Sequence, residues 1–269
     1  MMKRPAPSTV RWLILAALLV FWELFPRTGI IPELFLPALS KVVVVLARDW
    51  HEYASELAVT LYEVFFAMLI ACGCGILAGA LVGGIALLRN LLLPVFSSLY
   101  AVPIVILYPI FTAWFGIGSQ SKIIFAGVYG FFPVMLSTAA GIRTIDEQLL
   151  LAARSMGATV PQQIMRVIIP ASIPTVLTGL RLGGALTIIG VVVSEMLTSS
   201  AGIGYLVTRY RTILDSPHVF GAIVMILLLS IMFDVLARAV ERRTAVWQTA
   251  GRKQREVEEP IGRAAPAPV

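Results

Sequence analysis

The sequence predicts an all-α, polytopic membrane protein with six transmembrane helices. Of its 269 residues, 58% are hydrophobic and 13% are charged, and this charged share is about half of the roughly 25% that is typical of a soluble domain. Several apolar runs are long enough to cross a bilayer core of about 30 Å. These runs are continuous rather than alternating, which disfavours a transmembrane β-barrel.

Six apolar segments account for the predicted spans. Their approximate limits are 10–25, 62–88, 91–115, 123–141, 174–197 and 219–240. The first could be a signal peptide, but no A-x-A-like cleavage site follows it directly, so we expect an uncleaved span. The second carries Gly75, Gly79 and Gly83 on one helix face, a spacing that lets a neighbouring helix approach closely. Arg89-Asn90 is predicted to form the turn that follows it.

Three prolines, Pro94, Pro103 and Pro109, interrupt the third predicted span. Proline frees backbone carbonyl groups, which membrane proteins tolerate where other helices or a water-filled path satisfy them. A kink for packing and a role in lining a pathway are equally consistent with this pattern.

Two segments are predicted to lie outside the membrane on the same side. In Pro26–Glu56, Ser40 is expected to cap a short helix. The run KVVVVLA there also has the local propensity of a strand, but a lone exposed strand would have no partner. Ser199–His218 is expected to be the second outer loop, and both histidines of the chain, His51 and His218, are expected to be solvated loop residues.

Residues 143–174, called the 143–174 loop below, form the longest amphipathic interruption between spans. Thr144 and Glu147 have the spacing of a capping box, and apolar residues at helical spacing follow them. Gly157 is where this helix is expected to end in a turn.

A second predicted helix follows that turn. Thr159 and Gln162 have the spacing of another capping box, and Pro170 and Pro174 are expected to close the helix. A helix, a glycine turn and a helix are too long for a hairpin loop and too short for a domain. We therefore expect a docking surface for a partner, with a helix pair that lies on lipid as the alternative.

Lysine and arginine are distributed unevenly between the two predicted sides. Fourteen of the 21 lie on the side of both termini and of the 143–174 loop, six lie on the other side, and Arg181 lies within a span. The positive-inside rule makes the first side cytoplasmic. We read the net charge of +6 as this bias together with attraction to anionic lipid, rather than as a sign of nucleic-acid binding.

The predicted organisation has three parts. Residues 1–11 form a cytoplasmic N-terminus, residues 12–240 form the six-span domain, and residues 241–269 form a cytoplasmic tail that we expect to be disordered. Cys72 and Cys74 are expected to be small packing residues rather than metal ligands, because a metal site needs more ligands.

Two ionisable residues bracket the fifth predicted span. Arg181 and Glu195 are fourteen residues apart, or about 21 Å along a helix, so they cannot pair with each other. Ionisable groups within spans are functional candidates by default, although anchoring at the membrane interface is equally consistent. With Pro103 and Pro109, they are the candidate residues of a translocation path.

The loop sequence resembles the cytoplasmic signature of permease subunits of binding-protein-dependent ABC importers. In that family, Glu-Ala-Ala-x3-Gly is followed some distance later by Leu-Pro. Here Ala152-Ala153 and Gly157 match the first motif, Ile169-Pro170 matches the second, and Leu151 replaces the glutamate. The resemblance implies coupling to an ATPase through Ala152, Ala153, Gly157, Ala158, Ile169, Pro170 and Pro174.

The resemblance extends from about Leu91 to Val240 and is closest to the nitrate/sulfonate/taurine-type branch of these permeases. The first ninety residues match more loosely, and Glu63 stands where relatives tend to carry an arginine. The stretches that carry the match include Trp114-Phe115-Gly116-Ile117-Gly118, Gly179-Leu180-Arg181, Val191-Val192-Val193-x-Glu195-Met196-Leu197 and Gly202-Ile203-Gly204-Tyr205.

The resemblance implies a type I ABC importer permease fold in the cell inner (plasma) membrane. It also implies a homodimer around a translocation path for a small anionic solute. Separate ATPase subunits would hold ATP, a periplasmic or lipid-anchored binding protein would deliver the solute, and this chain would need no cofactor.

The chain itself has no G-x4-G-K-[ST] phosphate loop and no apparent Ser/His/Asp grouping, so we do not expect an enzyme. An ion-coupled secondary transporter is the main alternative, although such a protein would normally show an internal repeat. A membrane scaffold that docks a partner without transporting a solute is the third hypothesis.

Overall fold

The structure is a computed structural model that describes residues 7–244 and the side chains of residues 9–243. The predicted tail therefore lies almost wholly outside the described residues, as does half of the predicted N-terminal segment. All regular structure between residues 7 and 244 is helical. The α-helices are α1 (Pro7–Leu24), α2 (Leu39–Arg48), α3 (Trp50–Gly84), α4 (Ala86–Tyr100), α5 (Tyr108–Phe115), α6 (Ser119–Arg143), α7 (Glu147–Ser155), α8 (Val160–Gln163), α9 (Ile169–Leu197), α10 (Ile203–Thr212) and α11 (Ser216–Thr244).

The predicted spans are present among these helices. Five helical segments are long and apolar enough to cross a membrane, and α4 and α5 together make a sixth if the bent pair counts as one span. The five segments are Thr9–Thr28, Trp50–Gly84, Ser119–Arg143, Val160–Leu197 and Ser216–Arg243. The all-α, six-span prediction is thus confirmed.

The third span is bent more sharply than the sequence indicated. A break separates the helical segments Ala86–Tyr100 and Ile104–Phe115 of this bent span, and Pro103 lies in the break. Proline lacks an N–H group and disfavours helical backbone at the preceding residue, which accounts for the break. Pro94 is accommodated inside α4, and Pro109 is in the first turn of α5, where proline is tolerated.

The turn predicted at Arg89-Asn90 is wrong, because both residues are helical. The chain changes direction at Ile85 instead, whose backbone is extended with φ −107° and ψ 113°. Arg89 N–H already donates to the carbonyl oxygen of Ile85 at 2.9 Å, so it belongs to the first turn of α4.

The outer segments are more helical than predicted. KVVVVLA lies in α2, so the strand alternative is wrong, and Ala38 rather than Ser40 precedes the helix. Helix α3 begins at Trp50, well before the predicted start of its span. The second outer loop contains α10, which buries Ile203 and Leu206 among other residues.

The expectation for His218 is wrong as well. It lies in the first turn of α11, where its ring stacks on Tyr210 with 4.3 Å between centroids. Its Nε2 atom is 3.1 Å from a carboxylate oxygen of Asp49 and its Nδ1 atom 2.8 Å from one of Asp215. The residue is therefore largely enclosed rather than solvated.

The glycine face of α3 packs on α6 as the spacing predicts. A Cβ atom at Gly79 would lie 2.5 Å from the carbonyl oxygen of Met135 and 2.6 Å from Thr138 Cβ. A Cβ atom at Gly83 would lie 2.9 Å from Ala139 Cα. All three distances are too short for a side chain, so the two helix backbones approach as closely as glycine permits.

The chain divides into two compact units, and each is described by itself. The first contains Met1–Ala67, Val105–Gly127 and Thr187–Ser230, and its core includes the buried residues Tyr53 and Ile203. The second unit contains Met68–Ile104, Val128–Leu186 and Ile231–Val269, and it includes the 143–174 loop and the α3–α6 glycine contact.

Candidate functional site

Helix α7 opens the 143–174 loop, and its N-cap is not the one that the sequence indicated. Asp146 precedes the helix with extended backbone, and its Oδ1 atom accepts a hydrogen bond from Gln148 N–H at 3.0 Å. The Thr144 hydroxyl donates instead to the carbonyl oxygen of Gly141 at 3.2 Å. The predicted Thr144–Glu147 capping box is therefore wrong. Asp146, which directly precedes the helix, accepts the bond from a first-turn N–H group that has no partner within the helix.

The predicted glycine turn is present at Gly157, where φ is +76°. Gly157 N–H donates to Arg154 carbonyl oxygen at 2.9 Å, and Ala158 N–H donates to Ala153 carbonyl oxygen at 3.0 Å. These two bonds form a Schellman motif, which satisfies the last carbonyl groups of α7. The left-handed backbone at this position is one that glycine adopts at little cost.

One side chain that the sequence did not single out braces the turn. Gln163 is buried, and its Nε2 atom donates to Ala158 carbonyl oxygen at 2.8 Å. Its Oε1 atom accepts a bond from Arg154 Nε at 3.4 Å. Gln163 therefore ties the end of α7 to the start of the second helix. The only sign of this role in the sequence is that Gln163 is a polar residue directly before the apolar residues Ile164 and Met165.

The second predicted helix begins as expected but does not stop where it was predicted to stop. Gln162 Oε1 accepts a bond from Thr159 N–H at 2.9 Å, which is one half of the predicted capping box. From α8 the chain continues through a π-helical turn, Ile164–Ile168, directly into α9. Pro170 and Pro174 are thus inside a continuous helical segment, and the expectation that they close the helix is wrong.

The π-helical turn explains how the helix accommodates a proline. In an α-helix, the proline ring clashes with the carbonyl group of the residue four positions earlier. For Pro170 that residue is Arg166, which lies within the π-helical turn. The wider π turn relieves this contact, and single π turns are frequent at functional sites.

The 143–174 loop exposes large apolar side chains. Met156 is 86% exposed, Val160 is 67% exposed, and Met165 is 68% exposed. Large apolar side chains that are exposed within one short stretch point to a surface that binds a partner or a membrane. Of the residues assigned to coupling, the exposed ones are Ala152, Gly157, Ile169 and Pro170, and the partly buried ones are Ala153, Ala158 and Pro174.

Of the four candidate path residues, Arg181 and Pro103 lie in the second unit, and Glu195 and Pro109 lie in the first. Arg181 forms an ion pair between α9 and α11, since its Nε atom donates to Asp234 Oδ1 at 2.8 Å. Its Nη1 atom is 3.5 Å from a carboxylate oxygen of Glu241. The side chain is 37% exposed, so it is both paired and accessible.

Glu195 contacts the N-terminus of α10. It is buried, with Oε1 accepting a bond from the Thr60 hydroxyl at 2.8 Å and Oε2 accepting one from Gly204 N–H at 2.7 Å. The Thr60 oxygen accepts a bond from Ile203 N–H at 2.9 Å, and Glu56 accepts one from Gly202 N–H at 2.5 Å. Two carboxylates thus satisfy the positive end of the α10 dipole.

A buried ion pair lies in the same unit. Lys122 Nζ is 2.5 Å from Glu63 Oε1, and the two side chains are 3% and 0% exposed. The Ser119 hydroxyl donates to the same carboxylate oxygen at 2.7 Å, and Lys122 Nζ also donates to Ser199 Oγ at 3.0 Å. The pair joins α3 to α6 and to the segment before α10. In the sequence, Glu63 stands out only as a departure from the family pattern, and nothing near it points to Lys122 as its partner.

No group of three His, Cys, Asp or Glu side chains among the described residues could hold a metal ion. The chemistry of the described clusters is hydrogen bonding, ion pairing and exposure of apolar surface. These properties suit a binding surface and a structural framework.

Comparison with known proteins gives three findings. The family model described as binding-protein-dependent transport system inner membrane component matches residues 72–246. The putative aliphatic sulfonates transport permease protein SsuC of Bacillus subtilis (strain 168) is 29% identical over 254 residues, which are 92% of each chain. The taurine transport system permease protein TauC of Escherichia coli (strain K12) is 30% identical over 240 residues, which are 87% of each chain.

Solved structures give the fold alone. An inward-facing structure of the MetNI methionine ABC transporter aligns with a TM-score of 0.57 and 19% identity. The alignment covers 75% of this chain and 97% of that one.

Proposed function

Because the chain belongs to the family of binding-protein-dependent transport system inner membrane components, we propose that it is the permease subunit of an ATP-driven importer. In this proposal it forms the translocation path and takes its energy from a separate ATPase subunit that holds ATP. The observation that carries the proposal is the 143–174 loop, in which a capped, braced pair of helices exposes Met156, Val160 and Met165.

The geometry of the loop suits the transmission of motion. Its second helix is continuous with a membrane span, because α8, the π-helical turn and α9 form one segment, Val160–Leu197. A partner that moves the loop would therefore move the cytoplasmic end of α9 with it, as alternating access requires. Rigid coupling needs a fixed angle at the turn, and the Schellman motif with Gln163 supports that angle.

The proposed solute is a small anion such as a sulfonate, taurine or a nitrate-like ion. The support is the likeness to two relatives, a putative aliphatic sulfonates transport permease and a taurine transport permease. A periplasmic or lipid-anchored binding protein would select and deliver it. We further propose a homodimer in the cell membrane, in contact with membrane lipid, with both termini and the 143–174 loop in the cytoplasm.

Co-purification from native membranes in mild detergent tests the proposed partnership. We expect an ATPase subunit with a phosphate-binding loop to accompany the full chain. It should be lost when Ala152, Ala153 and Gly157 are replaced together, and retained when the exposed residues Leu227 and Leu228 of α11 are replaced by alanine as a control. Purification without any ATPase, or retention of the ATPase in the triple variant, would contradict coupling through the loop.

The proposed path role of Arg181 makes a separate prediction. Replacing Arg181 by glutamine should lower uptake of the anionic solute about tenfold, which corresponds to about 1.4 kcal/mol in the transport barrier. The reason is loss of an accessible positive charge that would stabilise an anion in the path. Initial uptake rates in vesicles measure the effect.

Asp234→Asn is the matched control, because it breaks the ion pair with Arg181 but leaves the arginine in place. An anion-binding role predicts that this variant keeps most of its uptake. If Arg181→Gln transports normally, or if both variants lose uptake equally, Arg181 does not act on the anion.

A further inference from the structure

The second unit contains an open, polar cavity at the start of the 143–174 loop, and none of the residues assigned to coupling lines it. Its volume is about 710 Å³. It lies where the spans Trp50–Gly84 and Ser119–Arg143 end, and therefore where spans meet the membrane surface. Its lining comes from the first three turns of α4, the last residue of α6 and the first residue of α7, namely Arg89, Asn90, Leu93, Pro94, Arg143 and Glu147.

The cavity has an excess of positive charge. Two arginines face one glutamate, and in the described part of the chain neither Arg89 nor Arg143 forms an ion pair. Arg89 Nη1 donates to the carbonyl oxygen of Gly83 at 3.3 Å, which leaves most of its five N–H donors for a ligand.

From this geometry we infer that the cavity binds a phosphate group that carries a single negative charge, such as that of a phospholipid headgroup. A guanidinium group binds phosphate oxygens in a bidentate manner, and the two arginines against one glutamate leave one positive charge to be neutralised. Asn90 offers an amide donor, and Leu93 and Pro94 offer an apolar wall for the carbon atoms beside the phosphate. The position at the ends of spans fits the headgroup of an anionic phospholipid.

A lipid headgroup and free phosphate share this chemistry, and a titration separates them. The full-length chain in dodecyl maltoside is heated with increasing dioctanoyl phosphatidylglycerol, and its unfolding temperature is recorded. Parallel titrations use zwitterionic dioctanoyl phosphatidylcholine and inorganic phosphate. We expect phosphatidylglycerol to raise the unfolding temperature at a much lower concentration than phosphatidylcholine. A rise with inorganic phosphate alone would identify free phosphate as the source of the same ligand chemistry.

The variants test the residues. The double variant Arg89→Gln/Arg143→Gln should bind phosphatidylglycerol about thirtyfold more weakly than the wild-type chain. Each basic side chain near an anionic surface contributes about 1 kcal/mol, and about 1.4 kcal/mol corresponds to a tenfold change in affinity. Each single variant should weaken it about fivefold, which keeps the test usable if the double variant does not fold. Arg166→Gln is the control, because Arg166 is also exposed in the second unit but does not line the cavity.

Two results would overturn the inference. The first is that the double variant, or both single variants, bind the stabilising probe with the same affinity as the wild-type chain. The other is a wild-type chain that neither phosphatidylglycerol nor phosphate stabilises. Neither result bears on ATPase coupling or on the transported solute.

Discussion

Replacing Lys122 by methionine is expected to destabilise the chain by about 3–5 kcal/mol, because it leaves the Glu63 carboxylate buried without its partner. The two side chains are almost wholly enclosed and their charged atoms are 2.5 Å apart. Ser119 donates a single hydrogen bond to the carboxylate, which cannot compensate for a charge removed from water. Thermal unfolding of the purified full-length chain should show a fall of roughly 10 °C.

The double variant Lys122→Met/Glu63→Leu should recover most of this loss, since a buried ion pair can be exchanged for apolar groups of similar volume at small cost. Lys41→Met is the control, because Lys41 pairs with Glu33 through side chains that are 50% and 59% exposed. Exposed pairs of that kind are worth about 0–1 kcal/mol. If Lys122→Met unfolds at the wild-type temperature, the buried pair does not support the fold.

Replacing Gly157 by valine is expected to abolish coupled transport while leaving the spans folded. A Cβ atom at this position would meet nothing within 4 Å, so the effect comes from the backbone and not from a clash. The φ of +76° is a conformation that β-branched residues strongly resist. The turn would then open, and the second helix would leave the angle that the Gln163 bonds define.

The measurement is ATPase stimulation by the solute-loaded binding protein, together with solute uptake, in proteoliposomes that contain the complete transporter. We expect both to fall at least tenfold in Gly157→Val. Gly157→Asn is the matched control, because asparagine tolerates left-handed backbone and should retain most activity. Normal uptake and normal stimulation in the valine variant would refute the docking geometry.

The parts of the fold that the sequence predicted are those set by local chemistry. Bilayer thickness fixes the length of an apolar span, so the spans could be read from composition alone. The Gly157 turn was also predictable, because a helix that ends in a left-handed turn selects glycine. The face of α3 that packs on α6 was predictable from helical periodicity, because Gly75, Gly79 and Gly83 are four residues apart and share one face.

The parts that were missed depend on partners distant in the chain. Lys122 was not identified as the partner of Glu63, since nothing local links α6 to α3. Helix α10 was predicted as a loop, and its N-terminus is held by Glu56 and Glu195 from two other helices. The prolines at 170 and 174 were expected to end a helix, as they would in water. In a membrane span, π turns and neighbouring helices can satisfy or relieve the affected carbonyl groups.

The most direct test of ATP-driven import is solute uptake by proteoliposomes that contain the full chain, its ATPase and its binding protein. The energy source is varied by enclosing ATP on the ATPase side or by imposing a proton or sodium gradient without ATP. We expect uptake only with ATP, and we expect it to persist when an ionophore collapses the gradients. Uptake that follows an ion gradient without ATP would contradict the proposal and identify the chain as a secondary transporter.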